Sequence, residues 1–185
     1  MAERSSLVRL QDELEVCVDW VGYELHPETP PGGVPLSDYL PDPEERLGYV
    51  RAFAASFGIA DLVPPARLAK TRRVLAAAEV ARDAGKLDAW RAAAFDAYWR
   101  HGRGLESDED LAAIAREAGL DPGAAIEGAR DPAALARVDA AGLAARCAGV
   151  TGIPTFDLGE TRIVGCQRYE VLAEAARRAG ARRRQ

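Results

Sequence analysis

The 185-residue sequence lacks several features that would point to a particular class of protein. No apolar run approaches the ~20 residues that a membrane-spanning helix needs. Its three cysteines, Cys17, Cys147 and Cys166, lie far apart and form no CxxC pair. Its two histidines, His26 and His101, have no neighbours that resemble a set of metal ligands. A transmembrane helix and a metal site are therefore not expected, and no catalytic residue stands out.

Charge and N-terminal composition limit the expected partners and location. The net charge of −5 argues against a general nucleic-acid-binding protein. The chain opens on polar residues without the apolar stretch of a secretory signal, which predicts a cytoplasmic protein with no membrane partner. A basic cluster lies in the tail at Arg177, Arg178, Arg182, Arg183 and Arg184. We interpret it as cations that complement the dipole of a last helix and then fray into solvent, rather than as an anion-binding patch.

The N-terminal part predicts a helix followed by a strand. Residues 3–14 carry leucines at helical spacing. Residues 15–21 then alternate, with Val16, Val18 and Trp20 on one face, which is typical of a half-buried strand. The next segment, residues 26–37, is rich in proline and glycine, and this predicts an extended loop with neither helix nor strand.

Helical patterns fill the middle of the sequence. Asp42-Pro43 followed by two glutamates predicts an N-cap, a proline at the first helical position and an acid that reaches back to the cap. Ser107 with Asp110 predicts the cap of a shorter helix. Further helices are predicted over about residues 66–82 and 87–101, and after the Asp-Pro pairs at 121–122 and 131–132.

The C-terminal part returns to strands. Residues 155–158 and 161–164 are short strand patterns joined by Gly159-Glu160. A two-residue loop with glycine first indicates a type II′ hairpin. A last helix is predicted over about 169–179.

This order of elements predicts two domains. The helical middle, residues 38–145, is a candidate insertion. It interrupts a strand-bearing domain that would consist of residues 1–37 and 146–185. No internal repeat accompanies this pattern.

Several blocks of sequence occur together in one order. They are residues 18–20 with 22–27, 71–73 with 76–81, 94–99, 149–156, and 164–167 with 170–172. In order and spacing these blocks resemble the DsbA-like thioredoxin superfamily. Within it they resemble the FrnE-like branch, near the 2-hydroxychromene-2-carboxylate isomerases and kappa-class glutathione transferases. The resemblance covers nearly the whole chain and implies an α/β fold: a thioredoxin-like sheet of the DsbA type with a large all-helical insertion.

The resemblance also implies a binding site. The block at 149–156 holds a cis-proline in this family, which implies a cis bond between Ile153 and Pro154 at the mouth of a groove. Extended polypeptide or glutathione would pair with the main chain of Ile153 there, edge to edge. Ile153 and Pro154 are therefore the predicted substrate-binding residues. The implied partner is a protein thiol or disulfide, or a glutathione-like peptide.

The resemblance implies a first strand that this sequence does not show. In the family a strand precedes the first helix, and the reactive motif lies where they meet: CxxC in oxidoreductases, a serine in isomerases and glutathione transferases. The sequence opens within the body of that helix, so the first strand and the motif are expected to be missing. By resemblance that strand is central, between residues 15–21 and 155–158. We therefore expect a truncated or wrongly started chain rather than a natural short form. The alternative is a rearrangement in which another chain or the N-terminal residues fill the gap.

Three functions remain open on this reading. The first is a thiol–disulfide oxidoreductase of this family that lacks its CxxC and is inactive as written, with no cofactor. The second is a glutathione-dependent isomerase or transferase. The third is a non-catalytic thioredoxin-like module that binds peptides in the same groove. Cys147 and Cys166 are expected to be small buried residues, since free cysteine is among the most buried residue types.

Overall fold

The computed structural model describes residues 4–39, 41–63 and 65–185. The chain divides into two compact units. The helix–hairpin unit is Met1–Val21 with Ala145–Gln185, and the helical unit is Gly22–Ala144. The limits predicted from sequence differ mainly in assigning residues 22–37 to the strand-bearing part. Residues 1–3, where the predicted first helix begins, lie outside the described residues.

Most of the described elements are helices, and the strands are short. In chain order they are α1 (Arg4–Glu13), β1 (Val34–Pro35), α2 (Leu36–Tyr39), α3 (Pro43–Ser56), β2 (Arg67–Leu68), α4 (Arg72–Asp83), α5 (Leu87–Trp99), α6 (Asp108–Glu117), α7 (Pro122–Gly128), α8 (Pro132–Cys147), β3 (Thr155–Leu158), β4 (Thr161–Val164) and α9 (Tyr169–Arg178). None of the described helices is both long enough and apolar enough to cross a membrane.

Two helices form the core of the helix–hairpin unit. Leu7 and Leu10 lie one turn apart on α1, are at most 5% exposed, and pack against α9. The antiparallel hairpin β3–β4 covers the same cluster with its inward side chains, Phe156, Leu158 and Ile163. The unit is therefore a helical layer with a two-stranded sheet on it.

Residues 15–21 do not form the predicted strand. Val16, Val18 and Trp20 are half-buried against the α1–α9 cluster, and the side chains between them are exposed. A strand requires a ladder of hydrogen bonds to a neighbour about 4.8 Å away. The ladders among the described residues join β1 to β2 and β3 to β4, with none at 15–21. The alternation predicted which side chains face the core but could not supply a pairing partner.

The C-terminal tail is docked, and the prediction that it frays into solvent is wrong. The amide of Glu15 donates to the carbonyl of Arg182 at 2.7 Å, and the amide of Arg184 donates to the carbonyl of Glu13 at 2.9 Å. The Arg182 guanidinium also pairs with the Glu15 carboxylate at 3.1 Å. Main-chain hydrogen bonds hold the tail against the residues that follow α1, which a charge pattern does not reveal.

The helical unit is built around α4, α5, α6 and α7. Trp90, Leu111 and Ile114 are at most 1% exposed and belong to one cluster that these helices share. A smaller cluster joins α4 to α8 through Ala76 and Val138. The predicted helices of this region are present, but α4 begins at Arg72 and not near residue 66, because β2 precedes it.

In this unit the predicted N-cap of α6 forms, whereas that of α3 does not. Ser107 accepts from the amide of Asp110, and the Asp110 carboxylate accepts from the amide of Ser107, so α6 has a complete capping box. Asp42 precedes Pro43 at the start of α3, but its backbone is left-handed and its side chain makes no cap. The predicted cap of α3 is therefore wrong, since a capping side chain needs a backbone in the β region.

The proline-rich segment is not wholly irregular, contrary to the prediction. Its last residues form β1, which pairs with β2, and the short helix α2. The preceding residues 26–33, here called the strap, are held through their carbonyls. Arg67 donates to Gly32 and Gly33, each at 2.8 Å, and Lys70 donates to Thr29 at 2.7 Å. The helical unit therefore also contains one small two-stranded sheet.

Gly33 is expected to be essential to the strap, and Gly32 is not. Both have positive φ, but a Cβ on Gly33 would lie 2.4 Å from the Leu68 carbonyl oxygen, whereas a Cβ on Gly32 would have no neighbour within 4 Å. Gly33→Ala is expected to cost about 1–3 kcal/mol more than Gly32→Ala, because the β1–β2 pairing must shift. Chemical denaturation of both variants measures the difference, and equal losses would contradict it.

Candidate functional site

The site lies where α8 leads into the hairpin. Gly149, with φ 76, ends α8, and its amide donates to the Arg146 carbonyl at 2.9 Å. The Thr155 hydroxyl donates to the Gly152 carbonyl at 2.6 Å and fixes the turn that follows. The peptide bond between Ile153 and Pro154 is cis. Helix, turn and strand thus place residues 149–154, here called the entry loop, directly before β3.

The hairpin register determines which backbone groups of β3 are hydrogen-bonded to β4. The two-residue loop makes Leu158 and Thr161 a hydrogen-bonded pair, and such pairs alternate along an antiparallel ladder. The Gly165 amide donates to the Pro154 carbonyl at 2.8 Å, which agrees with this alternation. Thr155 is consequently at a non-hydrogen-bonded position.

Asp157 occupies the other non-hydrogen-bonded position on β3. The amide and carbonyl groups of Thr155 and Asp157 therefore point away from β4. The described residues add no further strand along this side of β3. We call it the open edge; it presents two donors and two acceptors at alternate residues.

The side chains on one face of β3 pack against the core, and Asp157 on the other face forms an ion pair. Phe156 and Leu158 face the helical layer. On the other face the Asp157 carboxylate binds Arg162 through two bonds of 2.7 and 2.8 Å, and this interaction lowers the pKa of Asp157. Arg162 also donates to the Ala148 carbonyl. This arginine therefore ties β4 both to β3 and to the residue after α8, and so supports the entry loop.

A polar cluster fastens the helical layer beneath the hairpin. The Tyr169 hydroxyl donates to Glu13 at 2.5 Å, Arg9 donates to the same carboxylate at 2.7 Å, and the Arg9 guanidinium lies 3.7 Å from the centre of the Tyr169 ring. The hydrogen bond from Tyr169, followed by that from Arg9, lowers the pKa of Glu13. The same bond to Glu13 raises the pKa of Tyr169. These contacts join α1 to α9.

The predicted substrate-binding residues lie at the end of the open edge. Ile153 is 51% exposed, although it is a large apolar side chain, and Pro154 is half-buried. Thr155 and Asp157 were not predicted as part of the site. The sequence contained the information needed to predict them: a two-residue hairpin loop determines which residues of the two strands are hydrogen-bonded to each other.

None of the three cysteines is joined in a disulfide. Cys17, on the side opposite the Val-Trp face, is exposed. Cys147 is also exposed, so the prediction that it is buried is wrong; it occupies the last turn of α8, where side chains face solvent. Cys166 is half-buried and directly follows Gly165, the residue bonded to Pro154. No group of three or more potential metal ligands occurs within the described ranges.

A helical layer under a hairpin that follows a cis-proline, with a helical unit inserted in the chain, defines a protein of the thioredoxin-fold class. Residues 2–177 match the model of the DSBA-like thioredoxin domain. The chain therefore belongs to the DSBA-like thioredoxin family. Its fold is the DsbA-like one with a helical insertion.

Solved structures agree with this assignment. A probable DsbA oxidoreductase from Streptomyces coelicolor is similar with a TM-score of 0.81 and 24% identity, over 96% of this chain and 83% of that one. At this identity the likeness concerns the fold. A 2-hydroxychromene-2-carboxylate isomerase is similar with a TM-score of 0.64 and 26% identity, over 77% of this chain and 73% of that one. No protein in the curated set matches the sequence significantly.

Proposed function

We propose that this chain is a protein of the thiol–disulfide oxidoreductase type that docks extended polypeptide, including thiol- or disulfide-bearing segments, along its open edge. By the resemblance, this is the side of β3 that the family's first strand would occupy, so the docked segment would take the place of that strand. The observation that carries the proposal is the set of outward backbone groups on Thr155 and Asp157 beside the exposed Ile153. Strand addition to an exposed edge supplies affinity through main-chain hydrogen bonds, so it accepts many sequences. A substrate defined by its backbone suits a protein that handles many polypeptides.

Redox chemistry is not expected from these 185 residues alone. Thiol–disulfide exchange proceeds by attack of a thiolate on a disulfide and release of the mixed disulfide by a second thiol. The sequence contains no CxxC, and its cysteines lie at positions 17, 147 and 166. We therefore propose that the chain as given docks substrates without reducing them. An insulin-reduction assay is the direct check: a lag-free precipitation above the dithiothreitol background would overturn this part of the proposal.

The docking proposal is tested by closing the open edge without disturbing the hairpin. Asp157→Pro removes an amide that points away from β4, and proline is tolerated at such edge positions. Asp157→Ala also loses the contact with Arg162 but keeps the amide, so it is the matched control. Loss of one main-chain hydrogen bond, up to about 1.5 kcal/mol, predicts roughly tenfold weaker binding for Asp157→Pro than for Asp157→Ala.

The probe for this comparison is the carbamidomethylated B chain of insulin, whose thiols are blocked. Binding is followed by amide chemical shifts, with the shifts of β3 and the entry loop identifying the place of docking. Equal affinities of the two variants, or saturable shifts confined to other parts of the chain, would contradict docking at the open edge.

A glutathione-dependent isomerase is the second candidate. The 26% identity to a 2-hydroxychromene-2-carboxylate isomerase favours it. Glutathione, as a short peptide, would pair with the same edge at Ile153 and would act as the cofactor. Saturable shifts of Thr155 and Ile153 with glutathione, and none with the blocked insulin chain, would favour this candidate over polypeptide docking. A cytoplasmic location without membrane or nucleic-acid partners remains part of the proposal in either case.

A further inference from the structure

Glu24 is a buried carboxylate with one unsatisfied oxygen. Its side chain is 9% exposed. Oε2 lies 3.8 Å from Nη1 of Arg72, whereas Oε1 is buried and has no hydrogen-bond partner within the described part of the chain. An ionised carboxylate in this position would be costly, because buried charges need pairing and hydrogen bonds. A bound proton removes that cost.

The cations near Glu24 are engaged elsewhere. Arg72 holds both oxygens of Asp139 at 2.6 and 2.8 Å, and Lys70 donates to the carbonyls of Thr29 and Pro27 in the strap. Burial raises the pKa of Glu24 and is the largest effect. The charges of Lys70 and Arg72 lower this pKa in part, the Asp139 carboxylate raises it further, and a backbone hydrogen bond from Arg72 lowers it. These three groups are the charged neighbours of Glu24 from the start of α4 and from α8.

Glu24 and Asp139 lie near the two ends of the helical unit in sequence. The chain enters the helical unit at Gly22 and leaves it after Ala144. Glu24 comes shortly after the entrance and Asp139, on α8, comes shortly before the exit, and both meet Arg72 at the first residue of α4. We call Glu24, Arg72 and Asp139 the junction. Within the helical unit it joins the segment around Glu24 and the helix α8 to the start of α4.

We propose that Glu24 is a proton-binding site that acts as a pH-dependent latch on the junction. When Glu24 is neutral, Arg72 pairs with Asp139, and this ion pair holds α8 against α4. When Glu24 loses its proton to water, its buried carboxylate competes with the largely exposed Asp139 for the same guanidinium. Solvating this charge requires water to enter, so the junction opens locally.

The sign of the pH dependence follows from the direction of the pKa shift. The closed junction binds the proton of Glu24 more tightly than the open one, in which the carboxyl has its ordinary pKa. Closure is therefore fully favoured below the ordinary pKa of glutamate and weakens as pH rises towards the raised value. Between these two values the opening equilibrium increases by up to about tenfold per pH unit.

Two measurements on the full chain test the latch. The first follows the Glu24 carboxyl carbon by NMR during a pH titration; we expect its midpoint to lie above the ordinary value of a glutamate carboxyl. The second follows exchange of the Leu75 amide, which donates to the Thr71 carbonyl at 3.0 Å in the first turn of α4. After correction for intrinsic exchange, the opening of this bond should increase with pH.

Matched variants separate the latch from general stability effects. Glu24→Gln should make the opening independent of pH, whereas Glu127→Gln, the same change at an exposed site of the helical unit, should leave it as in the unmodified chain. Asp139→Asn should lower the midpoint of Glu24, because it removes a neighbouring negative charge and releases Arg72. An unshifted midpoint for Glu24, or an unaltered pH profile in Glu24→Gln, would overturn the proposal. Neither outcome bears on docking at the open edge.

Discussion

Trp90→Ala is expected to lower the free energy of unfolding of the helical unit by about 3–5 kcal/mol. The indole is 1% exposed on α5 and lies in the cluster shared by α4 to α7. Its Nε1 donates to the Val74 carbonyl on α4 at 3.2 Å, so the substitution removes a buried hydrogen bond as well as the largest fully buried side chain. Far-UV circular dichroism during urea denaturation reports this loss, because most helices belong to this unit.

Trp90→Phe is the control for that experiment. It keeps most of the apolar contacts and loses the hydrogen bond to Val74 with part of the volume, for a cost of about 1–2 kcal/mol. The expected order is therefore the unmodified chain, then Trp90→Phe, then Trp90→Ala. If the free energy of unfolding of Trp90→Ala lay within roughly 1 kcal/mol of that of the unmodified chain, the prediction would be contradicted. The surrounding side chains would then have closed the space left by the indole.

Leu172→Ala is expected to destabilise the helix–hairpin unit by about 2–5 kcal/mol. Leu172 is fully buried on α9, within the cluster that also receives Phe156 and Ile163 from the hairpin. Loss of this contact should therefore loosen β3 and β4 as well as α9. Hydrogen exchange of the Phe156 amide, which is bonded across the hairpin, measures this effect at the site.

Val171→Ala is the matched control on the same helix. Val171 is 46% exposed, so its truncation removes little buried surface and is expected to cost no more than about 0.5 kcal/mol. If Leu172→Ala left the exchange of the Phe156 amide as it is in Val171→Ala, the hairpin would not depend on the α9 core, and the described packing would be contradicted.

Local signals predicted most of the helices and the hairpin. Ser107 with Asp110 forms the expected capping box, and the Gly159-Glu160 loop joins two strands in the expected register. These features depend on residues that are close in sequence. Helix caps and tight turns satisfy their own hydrogen bonds, so short windows of sequence contain the necessary information.

Features that depend on distant partners were predicted poorly. Residues 15–21 show the burial of a strand without its ladder, and the β1–β2 pair formed where proline density argued against a strand. The tail past α9 docked through backbone bonds to Glu13 and Glu15. In each case the decisive group is far away in sequence, and side-chain patterns carry no signal for it.

The candidate site was predicted in part. Ile153 and Pro154 come from the resemblance and stay predictions as substrate-binding residues, whereas the open edge depends on how Thr155 and Asp157 are paired. Glu24 was not singled out at all, because a lone glutamate after a strand pattern is ordinarily solvated. Only packing against Arg72, with Asp139 drawn in from α8, makes it unusual.

Residue-resolved amide exchange on binding the blocked insulin chain tests the central claim, docking at the open edge, most directly. The account predicts increased protection of the Thr155 and Asp157 amides, which point away from β4, and little change for Phe156, which is already bonded to it. A saturated complex in which Thr155 and Asp157 exchange as fast as in the free protein would contradict it.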